Sequence, residues 1–206
     1  MDRWIGRHMI NKMQNYSDLF FYFRFDDDYS CKHRFLSHAL VYVYCGELEI
    51  TASDGVITVE SGEAAFVCKD TCMQMDISRK NKEEAKIAIL RIPESFLREF
   101  YFTVEKQENV FTIPNRSSFS ILPREDVDSL FCSMQPYYGT SVVPGDKVLK
   151  LKIIEAIYAL LETDWTMFYT LLFGFAYFGR MDVFDLLADT CTSPFYWHLR
   201  KDLYLI

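Results

Sequence analysis

The tightest constraint on this chain is the rhythm of short β-rich runs and turn signals between residues 38 and 92. His38 to Tyr44 (HALVYVY) is β-branched and aromatic, Cys45-Gly46 marks a tight turn, and Glu47 to Thr51 alternates polar and apolar residues. Ser53-Asp54-Gly55 supplies a second turn, since Asp-Gly tolerates the positive φ that short hairpin loops require. Val56 to Val59 returns as a strand, Glu60-Ser61-Gly62-Glu63 turns again, and Ala64 to Cys68, Cys72 to Ile77 and Ala85 to Ile92 complete the series. Upstream, Leu19 to Phe25 (LFFYFRF) reads as a further strand bounded by three aspartates. Short strands separated by frequent turns predict an antiparallel barrel or sandwich, and the absence of βαβ spacing argues against a parallel sheet.

After Pro93 the period changes. Glu94 to Phe102 reads as a short helix, residues 110–122 as extended chain punctuated by Pro114 and Pro123, and Asp126 to Tyr138 as a helix. Pro144-Gly145 breaks the chain, and Asp146 is the expected N-cap of a helix over Lys147 to Glu162. At 100° per residue, Leu149, Ile153, Ala156 and Leu160 form one apolar stripe, and Leu151, Ile154, Ile157, Tyr158 and Leu161 form an adjacent one. A helix that only covers a sheet needs a single stripe about 100° wide. This helix has about twice that, so its second stripe is expected either under other helices of the chain or against a second copy.

Half of the residues are hydrophobic and a quarter charged, the balance of a folded globular domain. With a formal net charge of −7, and basic residues interleaved with acids as in Lys80 to Lys86, the chain lacks the cationic surface that phosphate contacts demand. The apolar stretch from Trp165 to Gly179 is interrupted and too short for a bilayer span, and the N-terminus has no hydrophobic leader core, so a cytoplasmic protein with no membrane association is expected. The six cysteines then read as reduced core thiols.

The segments FRFDDDYSCKHRFLSHALVYVYCGELEI, VESGEAAFVCKD, IPESFLREFY and DKVLKLKIIEAIYALLETD, in this order and spacing, resemble the N-terminal regulatory domain of AraC/XylS-family transcription regulators, closest to the ExsA-like branch that activates type III secretion. The resemblance covers residues 20–175. It implies a mainly β plus α fold, a cupin-like antiparallel β-barrel followed by helices of a dimerisation subdomain. The expected divisions are an N-terminal extension (1–18), the barrel (19–92), the helical subdomain (93–164), and an aromatic linker with a divergent tail (165–206). The resemblance implies a homodimer formed through the helix at 148–161, with Leu149, Ile153, Ala156, Ile157 and Leu160 as interface candidates. It also implies control by a protein anti-activator or, as in the wider family, a small effector. Leu149→Glu or Ile153→Glu is then expected to dissociate the dimer without unfolding the barrel.

The chain departs from the family in two ways. A metal-using cupin needs a His-x-His pair and a later histidine; here His33 and His38 stand five apart and the stretch from Lys69 to Gln74 has none. Cys31, Cys68 and Cys72 lack paired Cys-x-x-Cys spacing. No metal, cofactor or catalytic residue is therefore expected, and His33 and His38 read as surface or strand-edge residues. The second departure is that the helix–turn–helix half through which such regulators grip DNA is absent from this sequence: Met181 to Ala188 resembles its start, and the remaining tail does not continue it. Two alternatives stand beside the regulatory reading. One is a non-catalytic small-molecule-binding cupin whose candidate pocket residues, Tyr42 and Tyr44, share one strand face; they line a pocket only if that face is the barrel interior. The other is a truncated, dominant-negative partner of a full-length regulator.

Overall fold

The computed structural model describes residues 12–105, 116–138 and 143–178. Two antiparallel sheets lie face to face. The first contains β1 (Lys12–Tyr16), β2 (Phe20–Phe25), β4 (His38–Cys45), β7 (Glu63–Val67), β9 (Ala85–Ile92) and β10 (Ser118–Ile121), in the order β1-β2-β9-β4-β7-β10. The second contains β3 (Tyr29–Phe35), β5 (Glu47–Ala52), β6 (Gly55–Glu60) and β8 (Thr71–Ser78), in the order β3-β8-β5-β6. Among the described residues no strand pairing joins the two sheets, so the cupin-like fold takes the form of a sandwich rather than a closed hydrogen-bonded barrel.

Alternate residues of facing strands meet between the sheets. Phe21, Phe23 and Phe25 of β2, Val41 and Val43 of β4, and Ile87 and Ile89 of β9 pack against Leu48 and Ile50 of β5 and Met73, Met75 and Ile77 of β8. The six-stranded sheet is covered on its other side too, by helices. Hence β2 and β4 are apolar on both faces, whereas β8 alternates buried and exposed residues because its outer face meets solvent.

The helices are α1 (Glu94–Phe100), α2 (Glu125–Cys132), α3 (Asp146–Thr163), α4 (Trp165–Phe173) and α5 (Phe175–Phe178). The single helix expected to run to Tyr138 stops at Cys132, and a 3-10 turn spans Gln135–Tyr137. Pro136 accounts for the break: it has no N–H to continue the ladder and disfavours helical geometry in the residue before it. Gly145, not Asp146, caps α3, and Asp146 is its first helical residue. Asp164, unremarked in the sequence, accepts a hydrogen bond from the Met167 N–H at 2.9 Å and so begins α4 within what reads as linker. Phe168 of α4 packs edge-on to Phe66 of β7, with ring centres 5.2 Å apart. One compact unit extends to Leu172 and a second begins at Phe173. The divergent tail lies outside the described residues.

Two strands escaped the sequence reading, β1 and β3. β1 is polar and β3 (YSCKHRF) alternates apolar and charged residues on an edge, so neither carries the dense apolar run of its neighbours. β10, within the stretch expected as extended, pairs with β7.

Candidate functional site

The helical layer on the six-stranded sheet holds most of the sequence-selected residues. α3 lies against α2 and over β9. Leu149, Ile153, Ala156, Ile157 and Leu160 are all fully buried within the protomer. These five, expected at a dimer interface, face the protein's own interior, where α3 seals the sheet and α2. The second stripe divides. Ile157 and Leu161 turn inward, while Leu151 is 63% exposed, Tyr158 42% exposed and Ile154 half-buried. Tyr158 is steadied from below by Phe100 of α1, edge-to-face at 5.6 Å. Lys147 and Lys150 flank this face towards the N-terminus of α3, and Glu155 and Glu162 towards its C-terminus.

Under α2 lies a layer of tyrosines. In β4 the odd residues point into the sandwich, so the even residues Tyr42 and Tyr44 point outward to the helices. The condition for an interior pocket, that their face be the barrel interior, is therefore not met. Tyr42 donates to the Asp128 carboxylate of α2 and stacks on Phe131 at 4.6 Å. Tyr44 donates to the Phe131 carbonyl at 2.7 Å and its hydroxyl lies 2.6 Å from that of Tyr138. Tyr138 stacks on Tyr22 of β2 at 3.8 Å, nearly parallel. Ala88 of β9, in register between Tyr22 and Tyr42, gives the small floor that lets the rings converge. Burial holds the Tyr44 and Tyr138 phenols above their ordinary range, so both stay neutral hydrogen-bonding groups. Asp128, Phe131, Tyr138 and Tyr22 were not singled out by sequence; only the period-two face of β4 hinted that something must sit opposite the tyrosines.

The histidines do not converge. His33 meets Phe35 edge-on at 4.6 Å in an edge strand. His38, expected at the surface or a strand edge, is instead in the inner strand β4 and 5% exposed, stacked on Phe66 at 5.4 Å, with Nδ1 accepting the Lys69 backbone N–H at 3.2 Å. Among the described residues, no three His, Cys, Asp or Glu side chains group as a metal site.

A two-sheet antiparallel sandwich with helices on the outer side of its six-stranded sheet is a cupin-like fold. Residues 38–167 match the family model of the ExsA N-terminal regulatory domain, and the chain belongs to that family. Its fold is similar to that of ToxT from Vibrio cholerae. An apo ToxT variant superposes with a TM-score of 0.57 at 10% identity, over 76% of this chain and 60% of that one. A second ToxT crystal structure gives 0.51 at 10% identity, over 72% and 58%. The chain thus spans about three-fifths of the ToxT structures it matches. A cupin-2 domain protein from Shewanella frigidimarina is matched at 21% identity over 40% of this chain and 80% of that one, with a TM-score of 0.32. No curated protein sequence matches. Among the described residues no helix is long and apolar enough to cross a membrane.

Proposed function

We propose that the chain is the self-association and partner-sensing half of a cytoplasmic AraC-type transcription activator, two copies meeting through the exposed face of α3. The observation that carries this is the composition of that face: Leu151, Ile154 and Tyr158 in line, with Lys147 and Lys150 towards the start of the helix, Glu155 at its middle and Glu162 at its end. When two copies of such a helix cross antiparallel about a two-fold axis, the apolar residues meet at the centre and Lys147 approaches Glu162 of the other copy, a carboxylate that within its own protomer pairs with Arg124 at 3.3 Å. The five buried residues of α3 support that surface from beneath rather than forming it. One helix on one helix is a small interface, so association in the micromolar range is expected.

A protein partner, rather than a small effector inside the sandwich, is the control this interior favours. Val41, Val43, Leu48, Ile50, Ala65 and Val67 are wholly shielded, and a side chain with no accessible surface has no water-sized space beside it. DNA contact would come through a helix–turn–helix half that the described residues do not contain. Light scattering on the eluting protein at tens of micromolar tests the reading. The wild-type chain should run as a dimer or a monomer–dimer mixture, and Leu151→Glu should run as a folded monomer. A strictly monomeric wild type, or an L151E variant that associates equally well, would refute it.

A further inference from the structure

α3 begins without a capping side chain of its own, because its N-cap is Gly145. The support comes from a distant part of the chain. Ser17, in the turn between β1 and β2, donates to the Asp146 carboxylate at 2.5 Å. One residue earlier, Tyr16 donates to the Tyr137 carbonyl at 2.6 Å, at the end of the 3-10 turn. The same hairpin therefore grips the chain on both sides of the connection into α3. It does so from a left-handed turn: Ser17 and Asp18 both have positive φ, 54° and 55°, a conformation that aspartate tolerates and serine does not favour. Asn15 holds the turn in that shape, accepting the Asp18 N–H at 2.9 Å and donating to the Asp18 carboxylate at 2.6 Å. The connection is three residues long, Ser17 to Leu19, closed by the Leu19 N–H on the Tyr16 carbonyl at 3.0 Å, and the two central positions of a turn with these dihedrals ordinarily favour Asn or Gly. Serine at this point supplies the hydroxyl that reaches Asp146. β1 is only five residues long, at the edge of its sheet and paired with β2 alone, and Met13 on its inward side is 43% exposed.

We propose that the β1 hairpin is a releasable clamp on the first turn of α3, tuning how firmly that helix presents its association face. The second half of this statement rests on the self-association reading above; the clamp itself does not. The discriminating variant is Ser17→Gly, which relieves the positive φ while removing the hydroxyl. A hairpin that merely closes a turn would be unharmed or improved by it. A clamp would be released, and the amides of Leu149, Lys150 and Leu151 should exchange with solvent about fivefold faster, the factor that losing one hydrogen bond of ordinary net strength gives. Tyr16→Phe keeps the ring against Phe20 and should act in the same direction, while amides in β4 and β9 hold their wild-type rates. In S17G/Y16F together, dimer dissociation should rise severalfold by light scattering or sedimentation. Unchanged exchange at 149–151 in S17G overturns the clamp. Faster exchange with unchanged association overturns its regulatory role. If Leu151→Glu also leaves association unchanged, the dimer reading has failed, and the exchange rates alone decide the clamp.

Discussion

At Gly46 a single hydrogen in place of a side chain decides whether β4 can turn into β5. Its φ is +96°, and a Cβ there would lie 2.7 Å from the Ser78 carbonyl oxygen and 2.9 Å from the Ala85 Cβ. Gly46→Ala should therefore cost about 2 kcal/mol or more, read as a lower midpoint in urea unfolding. The Cys-Gly turn was legible in the sequence; the close approach of β8 and β9 behind it was not. His38 is the opposite case. Burial, reinforced by Lys69 and partly opposed by Glu94, pushes its imidazole down to about 4. The folded state thus prefers the neutral ring, so its contribution is complete above the unfolded value of about 6.5 and is lost as pH falls towards about 4. On the order of 3 kcal/mol should disappear across that window. His38→Gln, measured by denaturation between pH 7 and 4, should flatten the loss. Nothing in the local sequence separates a buried histidine from a strand-edge one; only alternation with Leu40 and Tyr42 hints at it.

The element that carries the proposed self-association is α3. Its 18 residues carry more apolar surface than one contact can use, and that excess was readable from periodicity. Periodicity does not say which stripe is inside. The structure seats Leu149, Ile153 and Ala156 on the protein's own sheet and α2, so Ile153→Glu would bury an unpaired charge rather than split a dimer. It should unfold the domain, seen as loss of the cooperative thermal transition, whereas Leu151→Glu should keep that transition and lose association. α2 shows a related limit. Its apolar side was evident, but Pro136 ends the helix early and turns Tyr138 down into the tyrosine layer between Tyr22 and Tyr44.

For the molecule as a whole, charge would set the conditions under which two copies meet in the proposed dimer. Each carries a formal −7, and at about 0.01 M salt the screening length of about 30 Å lets that repulsion act across an interface. At 0.15 M it falls to about 8 Å, while lysine–glutamate pairs in contact are less affected. Association should therefore be tighter at 0.15 M than at 0.01 M by sedimentation; the reverse order would mean that the paired charges, not the apolar stripe, dominate. The same whole-molecule view separates what each level of description settled. By itself the sequence determined what is local: the strands from β4 to β9 through their turns, the aromatic strand β2, and the double stripe of α3. These follow from side-chain periodicity and turn chemistry, which act over a few residues. Only the tertiary structure decided that the strands form two sheets rather than a closed barrel, that Tyr42 and Tyr44 face helices rather than the sandwich interior, that β1 and β3 belong to the sheets, and which stripe of α3 is left outside. Each of these depends on contacts between residues far apart in the chain, and a face has no inside until the element that covers it has arrived.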